Sequence, residues 1–401
     1  MKRTILISAI ILTMAAESRG QGQTGNADII TIDVTKSYSN MKELIFQDFM
    51  DVEYIALETN DDFIHQGNVM DVGKNILLVT NFINDGDIFV YDRSGKALRK
   101  INNQGKQYSR QYSGILGITL DEDNEEMFVN NHEMKNILVY DLYGKFKRNF
   151  KCKNNQYYTT IYNYNKDNLI CYCESRGGTS SEFILVSKKD GRITNEIKIP
   201  FEKHIALRYE SSSEKKTTTT NQGNGLLTTN SSAIYGVITP RYTKIFPFQG
   251  NWMLIDLSSD TVYTFLPDYT LCPYFVRTPP IHSMNQRVFL LLNFISDRYY
   301  FMSTMIHEKE FTKTHFLYDR QKKAFFKYTL HNGDYSTKNE INFNAFKPVN
   351  HEESWQRLES FQLVEDFKKG NLKDSKLKEI ASKLDEEDNP VIMLVKHKKQ
   401  D

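Results

Sequence analysis

The sequence predicts an all-β fold, a six-bladed β-propeller with a helical C-terminal insertion before its last strand. Composition, an internal repeat and two stretches that break the repeat predict it. Of 401 residues, 12% are aromatic, with 23 Tyr and 25 Phe against 2 Trp, and flat rings favour pleated surfaces over helices. A 40% hydrophobic fraction and a mean hydropathy of −0.52 exclude a polytopic membrane protein and a mostly disordered chain. The 51 basic and 50 acidic residues leave no charge excess to attract nucleic acid or an anionic membrane.

The elements follow in chain order. Lys2 and Arg3 precede an apolar run over residues 4–16 and a small polar stretch, so residues 1–20 read as a secretory signal peptide, too short to span a bilayer. Cleavage after Ala16, Ser18 or Gly20 each fits; the last leaves 48 basic against 49 acidic residues. No cysteine lies in or just after the run to carry a lipid. The expected product is exported, periplasmic or extracellular, not a lipoprotein, and without an integral membrane segment. Residues 28–401 then form a single propeller domain. A first strand over residues 28–34 is expected to pair with the last, over 391–395, within or beside one blade, and so close the ring.

The repeat carries the fold. Tyr91-Asp92-Arg93-Ser94-Gly95-Lys96 recurs as Tyr140-Asp141-Leu142-Tyr143-Gly144-Lys145, 49 residues later. Ile88-Phe89-Val90 and Val79-Thr80-Asn81 recur at the same offset as Ile137-Leu138-Val139 and Phe128-Val129-Asn130. Asp bonds backbone amides two residues on, and Gly accepts the positive φ of a tight turn. A looser copy runs through residues 169–173 and 183–187, Asp190-Gly191-Arg192 and 193–197, with Gly191 placed 47 residues after Gly144. Residues 252–256 and 261–265 read as a further strand pair, 288–295 as a strand, and Leu317-Tyr318-Asp319-Arg320-Gln321-Lys322 as a later echo without its Gly. Four-stranded units of this period indicate a propeller rather than sandwich hairpins, because one small sheet cannot bury both faces. The chain length would allow seven or eight units, and two stretches that are not blade-like reduce this to six. Residues 210–233 are low-complexity and read as a flexible insertion. Residues 352–388 carry apolar spacings that suit one or two amphipathic helices.

Three features together resemble the six-bladed β-propeller proteins exported by Bacteroidetes, a family largely known as a domain of unknown function and distantly similar to NHL-repeat propellers. They are Val52-Glu53-Tyr54-Ile55-Ala56-Leu57-Glu58-Thr59, the Tyr-Asp-x-x-Gly-Lys repeats, and the ending from Leu384-Asp385 through Asn389-Pro390 to Leu394-Val395. Two departures stand out. Family members often carry Gly-x-Gly-Pro-Gly-Glu-Tyr after the first blade, where this chain has Gln104-Gly105-Lys106-Gln107-Tyr108. Many members are also lipoproteins, and the cysteine is lacking here. The resemblance supplies no ligand.

Local motifs for chemistry are missing, so no catalytic residue, metal ligand or cofactor is assigned. His307-Glu308 is followed by Phe311 where a zinc-protease helix needs His. Asp121-Glu122-Asp123-Asn124-Glu125-Glu126 lacks the calcium-loop order and reads as a solvated hairpin turn. Of the four cysteines, Cys171 and Cys173 share one strand face and read as small buried hydrophobes; an oxidising compartment permits a disulfide among Cys152, Cys171, Cys173 and Cys272 without specifying which. Binding candidates are Asn130, Asn131 and His132, in an inter-strand loop, and the basic-aromatic pairs Arg208-Tyr209 and Arg241-Tyr242 flanking the insertion, where Arg beside a ring could clamp a sugar or an anion. The leading expectation is a non-enzymatic binding or scaffold propeller with a glycan or protein partner. The rival is a propeller enzyme, a metal-dependent hydrolase or lyase with residues converging at the central channel. Oligomeric state is not encoded in any motif.

Overall fold

In the computed structural model the described residues are 29–81, 85–107, 109–131, 133–174, 181–205, 209–213, 234–238, 242–308, 311–343 and 346–398. Residues 1–28, which include the segment read as a signal peptide, residues 214–233 of the insertion and Tyr108 lie outside them.

Six blades follow one another along the chain, each an antiparallel meander whose first strand is innermost. Blade 1 comprises Asn68–Val72, Ile76–Thr80, Asp87–Asp92 and Ala97–Asn102; blade 2, Ile115–Asp121, Glu126–Asn131, Asn136–Asp141 and Phe146–Lys151. Blade 3 comprises Tyr157–Asn163, Asn168–Glu174, Ser181–Ser187 and Ile193–Ile197; blade 4, Ile245–Phe248, Asn251–Leu254, Thr261–Phe265 and Leu271–Thr278. A hairpin, Tyr209–Ser213 with Ile234–Ile238, intervenes between them in sequence. Blade 5 comprises Val288–Ile295, Tyr299–Ile306, Lys313–Asp319 and Ala324–His331, and blade 6 begins with Lys347–Pro348, Glu353–Leu358 and Val391–His397.

Alternation along each strand sends apolar side chains to both faces, and the buried ones gather into six clusters, one at each blade-to-blade interface. Leu77, Val79, Phe89 and Tyr91 of blade 1 face blade 6, while Leu78, Ile88 and Val90 face blade 2. Each interface is the core that neither sheet could make alone. All four cysteines are free thiols. Cys152, Cys171 and Cys173 lie together in the core between blades 2 and 3, where burial pushes Cys152 and Cys173 up to about 12.

The repeated turn serves this packing. Asp92 Oδ1 accepts the amides of Ser94 and Lys96, and Asp141 Oδ1 those of Tyr143 and Lys145. Gly95 and Gly144 both sit at φ +89°. A Cβ at Gly95 would meet the Ala56 carbonyl, one at Gly144 the Ile101 side chain, and one at Gly191 the Phe150 ring. Each turn therefore docks on the outer strand of the preceding blade. In blade 5 the echo survives: Asp319 Oδ1 accepts the amides of Gln321 and Lys322, and Lys323 takes the positive φ.

The closure departs from the expected pairing. The N-terminal segment contributes three rim strands: β1 (Ile30–Asp33) pairs parallel with Leu271–Thr278 of blade 4, β2 (Met41–Ile45) parallel with Ala324–His331 of blade 5, and β3 (Met50–Ala56) antiparallel with Val391–His397. The C-terminal strand thus closes the ring against β3, within the segment that carries Val52–Thr59, and not against the first strand. Lys42 of β2 is ion-paired with the fully buried Asp319. Asn389 completes the seam: its Nδ2 donates to the Glu58 carbonyl at 2.9 Å and the Phe63 carbonyl at 2.7 Å, and its Oδ1 accepts the His65 amide at 3.0 Å.

The expected helical stretch from 352 begins instead with the strand Glu353–Leu358; the helices are α1 (Ser360–Lys368) and α2 (Lys376–Ala381), between the second and third strands of blade 6. The acidic run is a turn, as expected, but most of it is not solvated. Asp121 pairs with Lys188 of blade 3 at 2.6 Å, both side chains 6% exposed. Glu122 accepts the amides of Lys74, Asn75 and Ile76 in blade 1, and Glu126 takes Arg148 in a bidentate pair. Asp121 and Glu122 clamp neighbouring blades, and Glu126 holds Arg148 within blade 2. Among the described residues, no helix is long and apolar enough to cross a membrane.

Candidate functional site

In a meander, the connections between first and second strands and between third and fourth strands share one face of the ring, and all others lie on the opposite face. On the first of these faces the axis is filled. The Tyr162 hydroxyl of blade 3 lies 3.5 Å from the Pro348 carbonyl of blade 6, its opposite blade. The Trp252 ring of blade 4 is 5.6 Å from Tyr162 and 4.8 Å from His351 between centroids. Above this floor opens a well of about 850 Å³.

Its wall comes mainly from innermost strands. Blade 1 supplies Val69, Met70 and Asp71, blade 2 Leu116 to Thr119, blade 3 Tyr157 to Tyr162, and blade 6 Lys347 to Val349 and Trp355; Tyr242 to Lys244 and Asp256 to Ser258 complete it beside blade 4. The strand pairing slips by one residue at Met70, Leu116 and Thr159. Such a bulge leaves a residue unpaired and re-aims its neighbours, and all three unpaired residues line the well.

Asp71 lies low in the wall. Its Oδ2 accepts the Leu120 amide at 2.7 Å and its Oδ1 the Val72 amide at 2.8 Å. Protein surrounds the carboxyl on all sides except the well, and this desolvation pushes its pKa up to about 7 against the pull of the two amides. The two lysines of the wall sit over rings: Lys244 Nζ is 4.2 Å from the Tyr242 centroid, and Lys347 Nζ 5.2 Å from that of Trp355. Asp256 Oδ1 accepts the Ser258 amide at 2.8 Å.

Of the residues singled out from sequence, Asn130 and Tyr242 meet in this wall. Asn130 Nδ2 donates to the Tyr158 carbonyl at 2.6 Å, and its Oδ1 accepts nothing. Asn131 is elsewhere: fully buried, it accepts from Ser113 and donates to Asn136, a structural role. His132, Arg208 and Arg241 lie outside the described residues; Tyr209 is in a strand paired with Ile238, and its side chain is outside them too. Sequence reasoning missed Asp71, Tyr162, Lys347 and Trp355. The available signal was a carboxylate inside the otherwise apolar strand pattern Val69-Met70-Asp71-Val72. Among the described residues, no three His, Cys, Asp or Glu side chains converge as a metal-binding group.

The profile of a domain of unknown function, DUF4934, matches residues 29–396. The chain belongs to the DUF4934 family. Its two terminal signature segments are the two halves of the ring closure. Among solved structures, a Bacteroides fragilis protein predicted to be exported is similar at 14% identity and a TM-score of 0.55, over 92% of this chain and 100% of the other. A DUF4221 family member from Bacteroides vulgatus is 9% identical with a TM-score of 0.46, over 88% of this chain and 100% of the other. The first likeness supports the propeller fold of this DUF4934 chain. No curated protein matches it.

Proposed function

We propose that the chain is an exported, non-enzymatic binding propeller whose well holds the end of a glycan. The observation that carries this is the well itself: closed at one end, about 850 Å³, and lined by tyrosines interleaved with hydroxyl, amide and charged groups. Small-ligand sites have this size and this mixture of ring faces and a few placed polar groups. A concave well is too narrow for a folded partner, whose interface needs a broad, shallow surface. The export component is supported by the leader-like residues 1–20 and by the Bacteroides neighbour expected to be exported.

The test is titration calorimetry of the purified chain with a panel of oligosaccharides. At least one binds, and Tyr242→Ala weakens it about fivefold through loss of ring contact worth about 1 kcal/mol. An intact fold that binds none of the panel would overturn the reading.

A further inference from the structure

The geometry points to an amine-recognising floor: Asp71 accepts the ammonium group of an amino sugar at the end of the bound glycan. This rests on the carbohydrate reading above and narrows it to one sugar class.

The argument starts from what Asp71 lacks. An ionised carboxyl offers about four acceptor sites, and two backbone amides use one on each oxygen. No side chain among the described residues donates to the remaining sites. Among the described residues, no Lys, Arg or His forms an ion pair with Asp71, although it borders a cavity that contains two lysines. Those lysines sit over the rings of Tyr242 and Trp355. The charged group that does act on Asp71 is Glu122 of blade 2, which has the same sign and is itself held by three blade 1 amides. From blade 3 the neighbour is Tyr162, whose hydroxyl is directed to the Pro348 carbonyl of blade 6. The wall's other titratable groups are His204, Asp256 and the phenols of Tyr157, Tyr158, Tyr172 and Tyr242.

A desolvated carboxyl without a counter-ion is unfavourable when ionised. A ligand hydroxyl can donate to it but cannot cancel its charge. A ligand ammonium does both, with three donors on one centre. Asp71 offers acceptors to match, the sites on its two oxygens that the Leu120 and Val72 amides leave open.

The pairing carries a proton balance. Burial keeps Asp71 largely protonated below about pH 7 in the empty well. An entering ammonium selects the ionised carboxylate, so the Asp71 proton leaves to the buffer while the ligand keeps its own. At about pH 6, one ligand releases about one proton.

The experiment is calorimetry at about pH 6 in buffers of different ionisation enthalpy, with chitobiose, its N,N′-diacetyl form and cellobiose as probes. The expected result is release of about one proton with chitobiose alone, and a preference for it of about tenfold or more over the other two. Asp71→Asn should erase both. Equal affinity for the three sugars, or chitobiose binding without proton release, overturns the amine assignment and leaves carbohydrate binding standing. Failure of every sugar overturns both. Should the Asp71→Asn chain not fold, proton release and sugar preference in the unaltered protein decide the matter.

Discussion

At the residue scale, two kinds of position carry measurable consequences. Gly95 and Gly250 both have positive φ, at +89° and +76°, but only Gly95 faces a close neighbour. Gly250→Ala should cost about 1 kcal/mol, the strain of a left-handed Ala. Gly95→Ala should cost at least about 1 kcal/mol more, because the new Cβ meets the Ala56 carbonyl; urea midpoints of the two variants measure the difference. His65 is a second case. Its Nδ1 accepts the Gly67 amide at 3.0 Å and its Nε2 faces the Tyr91 hydroxyl at 2.7 Å, so the neutral ring fits and a second ring proton does not. Burial depresses its pKa to about 4. The unfolded chain takes up that proton near pH 6.5. The contribution is therefore present above about pH 6.5, falls as pH drops towards 4, and amounts to about 3 kcal/mol over that window. Unfolding of His65→Asn should lose this slope. Asp71 acts with the opposite sign: its raised pKa favours the fold at low pH, and this is lost as pH rises through about 7, so single variants are needed to separate the two.

At the element scale, blades are held together by their turns as well as by their cores. The Lys188–Asp121 pair joins blades 2 and 3 directly, with both side chains buried, and such a pair is costly to break from one side. Lys188→Met should lose about 3–5 kcal/mol, and adding Asp121→Leu should restore part of it, a contrast that a double-mutant cycle in urea resolves. The same scale explains what could be read in advance. Asp-x-x-Gly turns were legible because their bonds are local: Asp92 reaches amides two and four residues on. The strand Glu353–Leu358 was read as helix because Trp355 and Leu358 stand three apart and lead directly into α1. The acidic turn looked solvated because its partners, Lys188 and the amides of residues 74–76, are distant in sequence. The well was least legible. Its wall is assembled one short strand per blade, and bulges at Met70, Leu116 and Thr159 shift which side chains face inward. Asn130 and Tyr242 were found because they adjoin loops; Asp71 was hidden within a strand.

At the scale of the whole molecule, the closure is the point where sequence reasoning and structure part company. Residues 391–395 are a closing strand as expected, but β1, within the expected 28–34 strand, pairs with blade 4 and β3 closes the ring instead, because strand partners at opposite ends of a chain leave no local trace. The seam depends on Asn389, which is 2% exposed. Asn389→Ala strips four hydrogen bonds; the Glu58 carbonyl still accepts from the Tyr91 hydroxyl, but the Phe63 carbonyl and the His65 amide lose the partner that Asn389 gave them, at a cost of about 2 kcal/mol or more. Since the seam joins first and last parts of the ring, hydrogen exchange should accelerate in blades 1 and 6 together; acceleration confined to the Asn389 loop would contradict this.

The rim strands also dictate an order of events. β1, β2 and β3 emerge first from the ribosome, yet Leu271–Thr278, Ala324–His331 and Val391–His397, which they pair with, are among the last to be made. Until then three strands that each need an edge have none to join. Blades 1 to 3 can assemble from adjacent residues as they appear, but blades 4 to 6 acquire their outer edges only after the leading end has been carried round to meet them. The finished ring is therefore sealed by strands made before any blade, and a ribosome stalled before blade 6 would leave that segment exposed to any other unpaired edge nearby.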